Sequence, residues 1–299
     1  MPPGARANPQ PAGPLRLRAE LVRTLSALLG EIDRGLLHPV LSDEEVHDLH
    51  RNLRRLASGL AVWGRLVPFG HASSADDLSR RLRRLARLVG RVRDQDVSTA
   101  LFTQVSRQEG RSTDLGAWHA FLGRLRDDTH TGRELLRAFL RTERAGGLFD
   151  RVRALLEIGP RPDARRGLQR ILAEERRLRQ GRVRKAHRKA RRRPTSERLH
   201  RLRIRIRQWR HLAGLEVIAR ATANHPPPPS WRLLQARLGR LHDLDVALAT
   251  IPPELDEAEP ALRLKDRRRR LRRSVRAALE QIASRPERVT ARARQRRPA

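Results

Sequence analysis

The chain contains no cysteine, so disulfides, zinc–thiolate sites and thiol catalysis are excluded. It also has no tyrosine, only four tryptophans and only five phenylalanines, so the aromatic stacking platforms of single-stranded nucleic-acid binders are scarce. No stretch approaches the roughly 20 apolar residues that a membrane span requires, and the opening MPPGARANPQPAGP lacks the apolar run of a signal peptide. We therefore expect a cytoplasmic location.

Basic residues, in contrast, are in large excess. The chain has 66 Lys and Arg against 33 Asp and Glu, a formal net charge of +33, and only three of the basic residues are lysines. No fold requires such a surplus, which indicates a polyanionic partner. The planar guanidinium of arginine matches two phosphate oxygens at once and stays charged at physiological pH. A phosphate ligand is therefore favoured over a metal or a sugar.

Apolar residues recur at spacings of three and four, which predicts helices. The clearest stripe is Val46, Leu49, Leu53, Leu56, Leu60, Trp63 and Val67. Ser42 and Glu45 precede it with the spacing of a capping box. No period-two run of Val, Ile or Thr occurs, so we predict an all-α protein without a sheet. We expect about four helices before residue 147, a short helix near 148–158 and about four more from 164 onward, arranged in antiparallel bundles.

Proline-rich and basic segments mark the ends of the chain. Residues 1–14 hold five prolines, and residues 284–299 end in RARQRRPA. We predict that the first segment is disordered and that the last is a disordered basic tail. Between them we predict one unit, 15–283, with a first helical half at 15–158 and a second at 164–283.

Two segments of the first half recur in the second half. VHDLHRNLRRL at 46–56 aligns with LHRLRIRIRQW at 199–209 at an offset of 153, and LVGRVRDQDV at 88–97 aligns with RLGRLHDLDV at 237–246 at an offset of 149. Two matches in the same order and at nearly the same offset indicate a duplicated helical unit.

The first pair of segments carries a row of basic side chains beside each apolar stripe. At about 100° per residue, His200, Arg203, Arg207 and Arg210 fall within an arc of about 80°. A solvated helix face is the ordinary interpretation of such a row, but its repetition in both halves favours binding. The predicted phosphate ligands are His47, His50, Arg51, Arg54, Arg55, Arg83, Arg87, Arg93, His200, Arg203, Arg207 and Arg210. We expect the two rows to face a shared groove or adjoining surface.

The second pair of segments carries two acidic residues in each half. Asp96 and Asp245 continue apolar lines of their helices, where a carboxylate is costly unless it is paired. We therefore expect each to hold an arginine or to cap a neighbouring helix, and we assign a structural, orienting role to Asp94, Asp96, Asp243 and Asp245. A divalent-metal site that bridges to phosphate is the alternative.

The H-x-x-[HR]-x-x-x-R helix followed by the G-x-x-[RH]-D-x-D-V helix, present twice, resembles the CHAD domain, the conserved histidine α-helical domain. The resemblance covers roughly residues 15 to 283. It implies two pseudo-symmetric antiparallel four-helix bundles whose basic surfaces bind inorganic polyphosphate and often target polyphosphate granules. The matching family positions are His47, Arg54, Arg55, Gly90, Arg93, Asp94, Asp96, His200, Arg203, Arg207, Gly239, Asp243 and Asp245. His50 stands where the family usually has arginine.

We therefore predict non-catalytic binding of inorganic polyphosphate or a similar linear polyanion, with no cofactor and no metal. Two alternatives stay open. The first is a basic helical protein that binds nucleic acid. The second is a metal-dependent HD-type phosphohydrolase, suggested by the doublets His47–Asp48 and His242–Asp243. Two further basic runs, at 176–193 and 263–276, place like charges at i and i+4, and a bound polyanion would relieve their repulsion.

Overall fold

We describe the protein from a computed structural model, in which residues 14–36, 41–107, 116–159, 164–218 and 227–284 are described. Within these ranges the chain forms nine α-helices and no β-strand, so the all-α prediction and the predicted order of helices are confirmed. The helices are α1 (Pro14–Gly35), α2 (Asp43–Trp63), α3 (Phe69–Ser106), α4 (Gly116–Ala145), α5 (Leu148–Glu157), α6 (Ala164–Arg192), α7 (Ser196–Ile218), α8 (Pro229–Thr250) and α9 (Glu259–Ser284). No helix in these ranges has an apolar stretch long enough to cross a membrane.

The predicted disordered segments lie almost wholly outside the described residues. Only their inner boundary positions are described: Pro14 is the first residue of α1, and Ser284 is the last residue of α9. The predicted first half corresponds to α1 to α5 and the predicted second half to α6 to α9, and the division into halves stays a prediction.

Helix α2 begins and packs as its sequence predicts. The Ser42 hydroxyl accepts a hydrogen bond from the Glu45 backbone N–H at 3.2 Å, and the Glu45 carboxylate accepts one from the Ser42 backbone N–H at 2.7 Å. This capping box satisfies two backbone donors that a helix start leaves without partners. The apolar stripe of α2 is buried along its length, from Val46 to Trp63. Its opposite side is left for polar side chains.

The buried apolar residues form three clusters. The first is built mainly by α1, α2, α3 and α5, with contributions from α4, α6 and α7. The second is built by α6, α7, α8 and α9. The third joins both halves, because Phe102 and Trp118 from the first half pack with Leu244 and Leu264 from the second. The halves therefore share core rather than folding as separate bundles, and the predicted symmetry of two four-helix bundles stays a prediction.

Equivalent helices of the two repeats meet each other. Helix α2 contacts α7, and α3 packs against α8 along part of its 38-residue length. These are the helices that carry the duplicated segments. Their contacts bring the basic row of one half against the basic row of the other.

Candidate polyanion-binding site

Four arginines from three helices lie together where the two repeats meet. They are Arg54 on α2, Arg93 on α3, and Arg203 and Arg207 on α7, and we call them the arginine cluster. Each of Arg54, Arg203 and Arg207 is half-buried and lies within the electrostatic field of other members of the cluster. The two predicted rows therefore do face one another, although they are far apart in sequence.

The arginine cluster is short of negative charge. Burial, together with the charges of Arg54 and Arg203, lowers the pKa of Arg207 to about 9. Burial and Arg203 likewise lower the pKa of Arg54 to about 10. Burial also lowers the pKa of Arg203, although Asp243 acts against this effect. Since a lowered arginine pKa means that the cationic form is destabilised, an incoming anion would gain from this arrangement.

Two carboxylates touch one edge of the cluster. Arg93 donates from Nη1 to Asp94 Oδ1 at 3.1 Å, and the same nitrogen lies 3.7 Å from Asp243 Oδ1. Burial raises the pKa of Asp243, while Arg93 and Arg203 oppose that rise. Both carboxylates thus lie on Arg93 and orient this arginine. Within the described ranges, no acid contacts Arg54 or Arg207.

The histidines of α2 accept hydrogen bonds from arginines. Arg54 donates from Nε to His50 Nε2 at 2.5 Å, and Arg93 donates from Nε to His47 Nδ1 at 3.4 Å. Burial and the neighbouring Arg54 lower the pKa of His50 to about 2, so its ring is neutral and can accept. A Cβ on Gly90 of α3 would lie 3.2 Å from His50 Nε2, so glycine leaves room for this ring.

Three more histidines line the same region from the second half. The rings of His200 and His242 lie with their centroids 4.9 Å apart. Burial and Arg203 lower the pKa of His242 to about 3 and also lower that of His200. His211 is not among the predicted ligands, yet burial and Arg207 lower its pKa to about 3. Its position four residues after Arg207, one turn along the same row, is the signal that could have identified it.

The basic surface continues from the cluster along α3 toward α6. Arg87 contributes to the field at Arg54, and Arg83 contributes to the field at Arg179. Arg179 is not among the predicted ligands either; its Nη1 donates to the Gln208 carbonyl at 2.9 Å, which ties α6 to α7. Two predicted ligands, Arg83 and Arg87, therefore form an extension of the cluster.

The remaining predicted ligands lie beside the cluster rather than in it. Arg51 pairs with Asp48 at 3.0 Å on an exposed surface. Arg210 donates from Nη1 to Gln235 Oε1 at 2.8 Å, and Arg55 is close enough to His211 to lower the pKa of that ring. These positions flank the row on its outer side.

The other two acids of the repeated motif each hold an arginine. Asp96 is buried, with a side-chain exposure of 6%, and accepts from Arg133 Nη2 at 2.7 Å. Asp245 accepts from Arg268 Nε at 2.5 Å. Each contact fastens a helix of the site to a neighbour, since Arg133 lies on α4 and Arg268 on α9. A cavity of about 630 Å³ lies beside Asp96 between α3 and α4, and none of the four cluster arginines lines it.

One member of each His-Asp doublet lies on the same arginine, because His47 accepts from Arg93 Nε and Asp243 lies 3.7 Å from Arg93 Nη1. Asp48 is engaged with Arg51 instead. In the described part of the chain, no group of three His, Cys, Asp or Glu side chains is arranged to hold a metal ion.

Comparisons with a protein-family model and with solved structures bear on the family and the fold of the chain. The family model of the CHAD domain matches residues 20–252, more than half of the chain. The chain belongs to the CHAD domain family. Among solved structures, the CHAD domain from the plant Ricinus communis is similar with a TM-score of 0.62 and 18% identity, covering 93% of this chain and 95% of that one. PptA from Streptomyces chartreusis is similar with a TM-score of 0.60 and 16% identity, covering 89% and 99% respectively.

At these identities the two structures show that the CHAD fold is shared. A search of curated proteins finds no match to this chain.

Proposed function

We propose that this CHAD domain binds inorganic polyphosphate at the arginine cluster and does so without chemical turnover. The observation that carries the proposal is the meeting of Arg54 with Arg203 and Arg207, half-buried and with lowered pKa values. Such a site is destabilised while it is empty of anions, and a ligand with closely spaced negative charges relieves the repulsion.

A phosphate polymer fits the cluster better than a single phosphate. The arginines come from α2, α3 and α7, and further arginines continue along α3, so successive ligand groups can be bound by different helices. Each charge-assisted contact contributes about 1.5 to 3 kcal/mol. Because contacts after the first are made at high effective concentration, affinity rises with chain length until the row is filled.

Two histidines of α2 give this binding a second component. His50 and His47 keep the guanidinium groups of Arg54 and Arg93 in place by accepting hydrogen bonds from them. The neutral ring of His50 adds no charge to an already strongly positive region, so Arg54 can lie close to the other arginines before ligand arrives. The ligand phosphates are then neutralised by fixed donors and are not activated for attack.

A binding isotherm over a series of polyphosphate lengths, repeated with duplex DNA and with RNA as competitors, tests the proposal. We expect orthophosphate to bind poorly, long chains to bind tightly, and equimolar nucleic acid to leave the bound polyphosphate in place at physiological salt. If each of the four cluster arginines pairs with a phosphate group of the ligand, the plot of log affinity against log salt should have a slope of about −3. Displacement by nucleic acid would favour the nucleic-acid alternative instead.

Absence of turnover is tested separately. Protein incubated with Mg²⁺ or Mn²⁺ and polyphosphate or nucleotides should release no phosphate above the rate without protein. Turnover that is abolished by His47→Ala would contradict the non-catalytic part of the proposal, because His47 belongs to one of the His-Asp doublets.

A further inference from the structure

A second basic surface lies on the side of the molecule away from the arginine cluster. On α6, the exposed Arg184, Lys185, Arg188 and Arg192 fall within an arc of about 100° at 100° per residue. They form one face of the most basic helix in the chain. Two exposed arginines of α9 add to them, and we define the α6–α9 surface by these side chains: Arg184, Lys185, Arg188, Arg192, Arg273 and Arg276.

Helices α6 and α9 run antiparallel and touch. His187 Nε2 lies 3.0 Å from the Leu279 carbonyl, and Arg272 donates from Nη2 to the Pro194 carbonyl at 3.1 Å. Counted from His187, the four bases of α6 lie about 60° to 160° further round the helix axis in the direction of increasing residue number. Counted from Leu279, Arg276 and Arg273 lie about 60° and 120° further round in the same sense. For antiparallel helices, the same sense of rotation leads to the same outer side. The two sets of bases therefore share one surface.

This surface is separate from the arginine cluster. Arg198 of α7 donates to the Lys189 carbonyl of α6 at 3.3 Å, so its direction on α7 marks where α6 lies. That direction is about 160° from the midpoint of Arg203 and Arg207 on the same helix. Helix α6 is thus packed on the opposite side of α7 from the cluster, and its own exposed face points further outward.

The six bases of the α6–α9 surface form no close ion pair. Among the described residues no carboxylate lies within 4.0 Å of any of them; Glu280, which helical spacing places between Arg273 and Arg276 on α9, lies 4.0 Å from Arg191. Arg184, Arg188 and Arg192 follow one another at four-residue spacing, so their like charges repel along the helix. No aromatic residue separates them, so the surface lacks a platform on which a base could stack.

We infer that the α6–α9 surface is a second docking site for a phosphate polymer, so that one molecule of the protein bridges two polymer segments. The inference rests on the proposed function, because the first segment is the one held by the arginine cluster. Two sites on opposite sides of α7 make the protein a cross-linker: long chains can be gathered into a network, whereas a chain short enough for one site cannot.

Light scattering of the whole protein mixed with long-chain polyphosphate measures this bridging. We expect the wild type to scatter strongly, and Arg184→Gln with Arg188→Gln and Arg192→Gln to lower the scattering about tenfold or more. The same variant should bind the shortest polyphosphate that saturates the cluster with an affinity within about threefold of the wild type, since its arginine cluster is intact. Circular dichroism checks that α6 remains helical.

A variant of matched charge is the control. Arg124→Gln with Arg126→Gln and Arg141→Gln removes the same charge from exposed positions of α4, and it should scatter like the wild type. If both variants lost scattering equally, the loss would be explained by net charge alone and the inference would be overturned. Unchanged scattering in the α6 variant would overturn it too. The inference would also be overturned if the three α6 arginines were needed for binding of duplex DNA or of anionic vesicles but not for binding of polyphosphate.

Failure of the proposed function gives a different result. If Arg203→Ala with Arg207→Ala leaves binding of the short chain unchanged, the arginine cluster is not the primary site, whatever the scattering shows. If that variant loses the short chain while the α6 variant scatters like the wild type, the cluster binds and the second surface does not.

Discussion

Removal of two cluster arginines should separate ligand binding from folding. In Arg203→Ala with Arg207→Ala, two charge-assisted contacts are lost, each contributing about 1.5 to 3 kcal/mol. The combined loss of about 3 to 6 kcal/mol corresponds to a decrease in affinity of about 10² to 10⁴-fold. The slope of log affinity against log salt should also become shallower by about 1.4 to 1.8, because two fewer charges are neutralised.

The stability of the fold should stay the same or increase in this variant, although its affinity for the ligand falls. Burial and neighbouring arginines lower the pKa of Arg207 to about 9, so below that pH the folded state carries the cost of a disfavoured cation. Taking the charge away relieves this cost. We therefore expect the helical circular dichroism to be unchanged and the melting temperature to be equal to or above that of the wild type.

Titration calorimetry with long-chain polyphosphate, paired with thermal melts, measures both quantities. Arg124→Ala with Arg141→Ala removes the same charge from exposed positions of α4 and should lower affinity by less than about threefold, because those charges are screened. The reasoning is refuted if the two variants lose affinity equally. It is also refuted if the cluster variant melts well below the wild type, since the two arginines would then be part of the structural framework.

Three further predictions concern single features of the site. The pKa of His242 in the free protein is about 3, and a bound polyanion should raise this pKa toward the ordinary range. The affinity for polyphosphate should then increase as the pH falls from about 8 to about 6, because binding takes up a proton. Binding heats that do not depend on the ionisation enthalpy of the buffer, and so show no proton uptake, would contradict this. Gly90→Ala should weaken polyphosphate binding, because the new Cβ displaces the His50 ring. Gly239→Ala has nothing within 4 Å of the new Cβ, so it should leave binding unchanged and either leave the stability of the fold unchanged or raise it by up to about 1 kcal/mol. Equal effects of the two variants in binding and melting assays would argue against the close contact at Gly90. Asp96→Ala should cost only about 0.5 to 1.5 kcal/mol in denaturant unfolding, because burial raises the pKa of Asp96 and Arg133 keeps its contact with Asp43. A loss above about 3 kcal/mol would show that the Arg133 contact outweighs the cost of burying the carboxylate.

Much of the local structure follows from short-range pattern. The capping box at Ser42 and Glu45 and the apolar stripe from Val46 to Trp63 depend on residues within a few turns of one another, and both are present as predicted. The order of the helices follows from the same periodicity. Helix amphipathicity also indicates which side of α7 faces its neighbours, which is why the basic row can be identified from spacing alone.

Partners across the interface between the repeats cannot be obtained in this way. Asp94 accepts from its neighbour Arg93 on the same helix, but Arg93 also approaches Asp243 of the other half, which spacing along α3 cannot predict. His47 is predicted to donate to phosphate, and in the structure it accepts from Arg93. Each outcome depends on which side chain another helix brings nearby.

The family, the helical class and the two rows of bases can all be identified from the order of the amino acids, because they reside in local spacing and in a repeat that can be aligned residue by residue. Three features depend instead on how the whole chain packs: α2 meets α7, Arg54 is thereby placed beside Arg203 and Arg207, and the bases of α6 are left on the far side of α7. Long-range packing sets both the burial of these side chains and the distance between like charges, and neither quantity is encoded in the spacing along one helix.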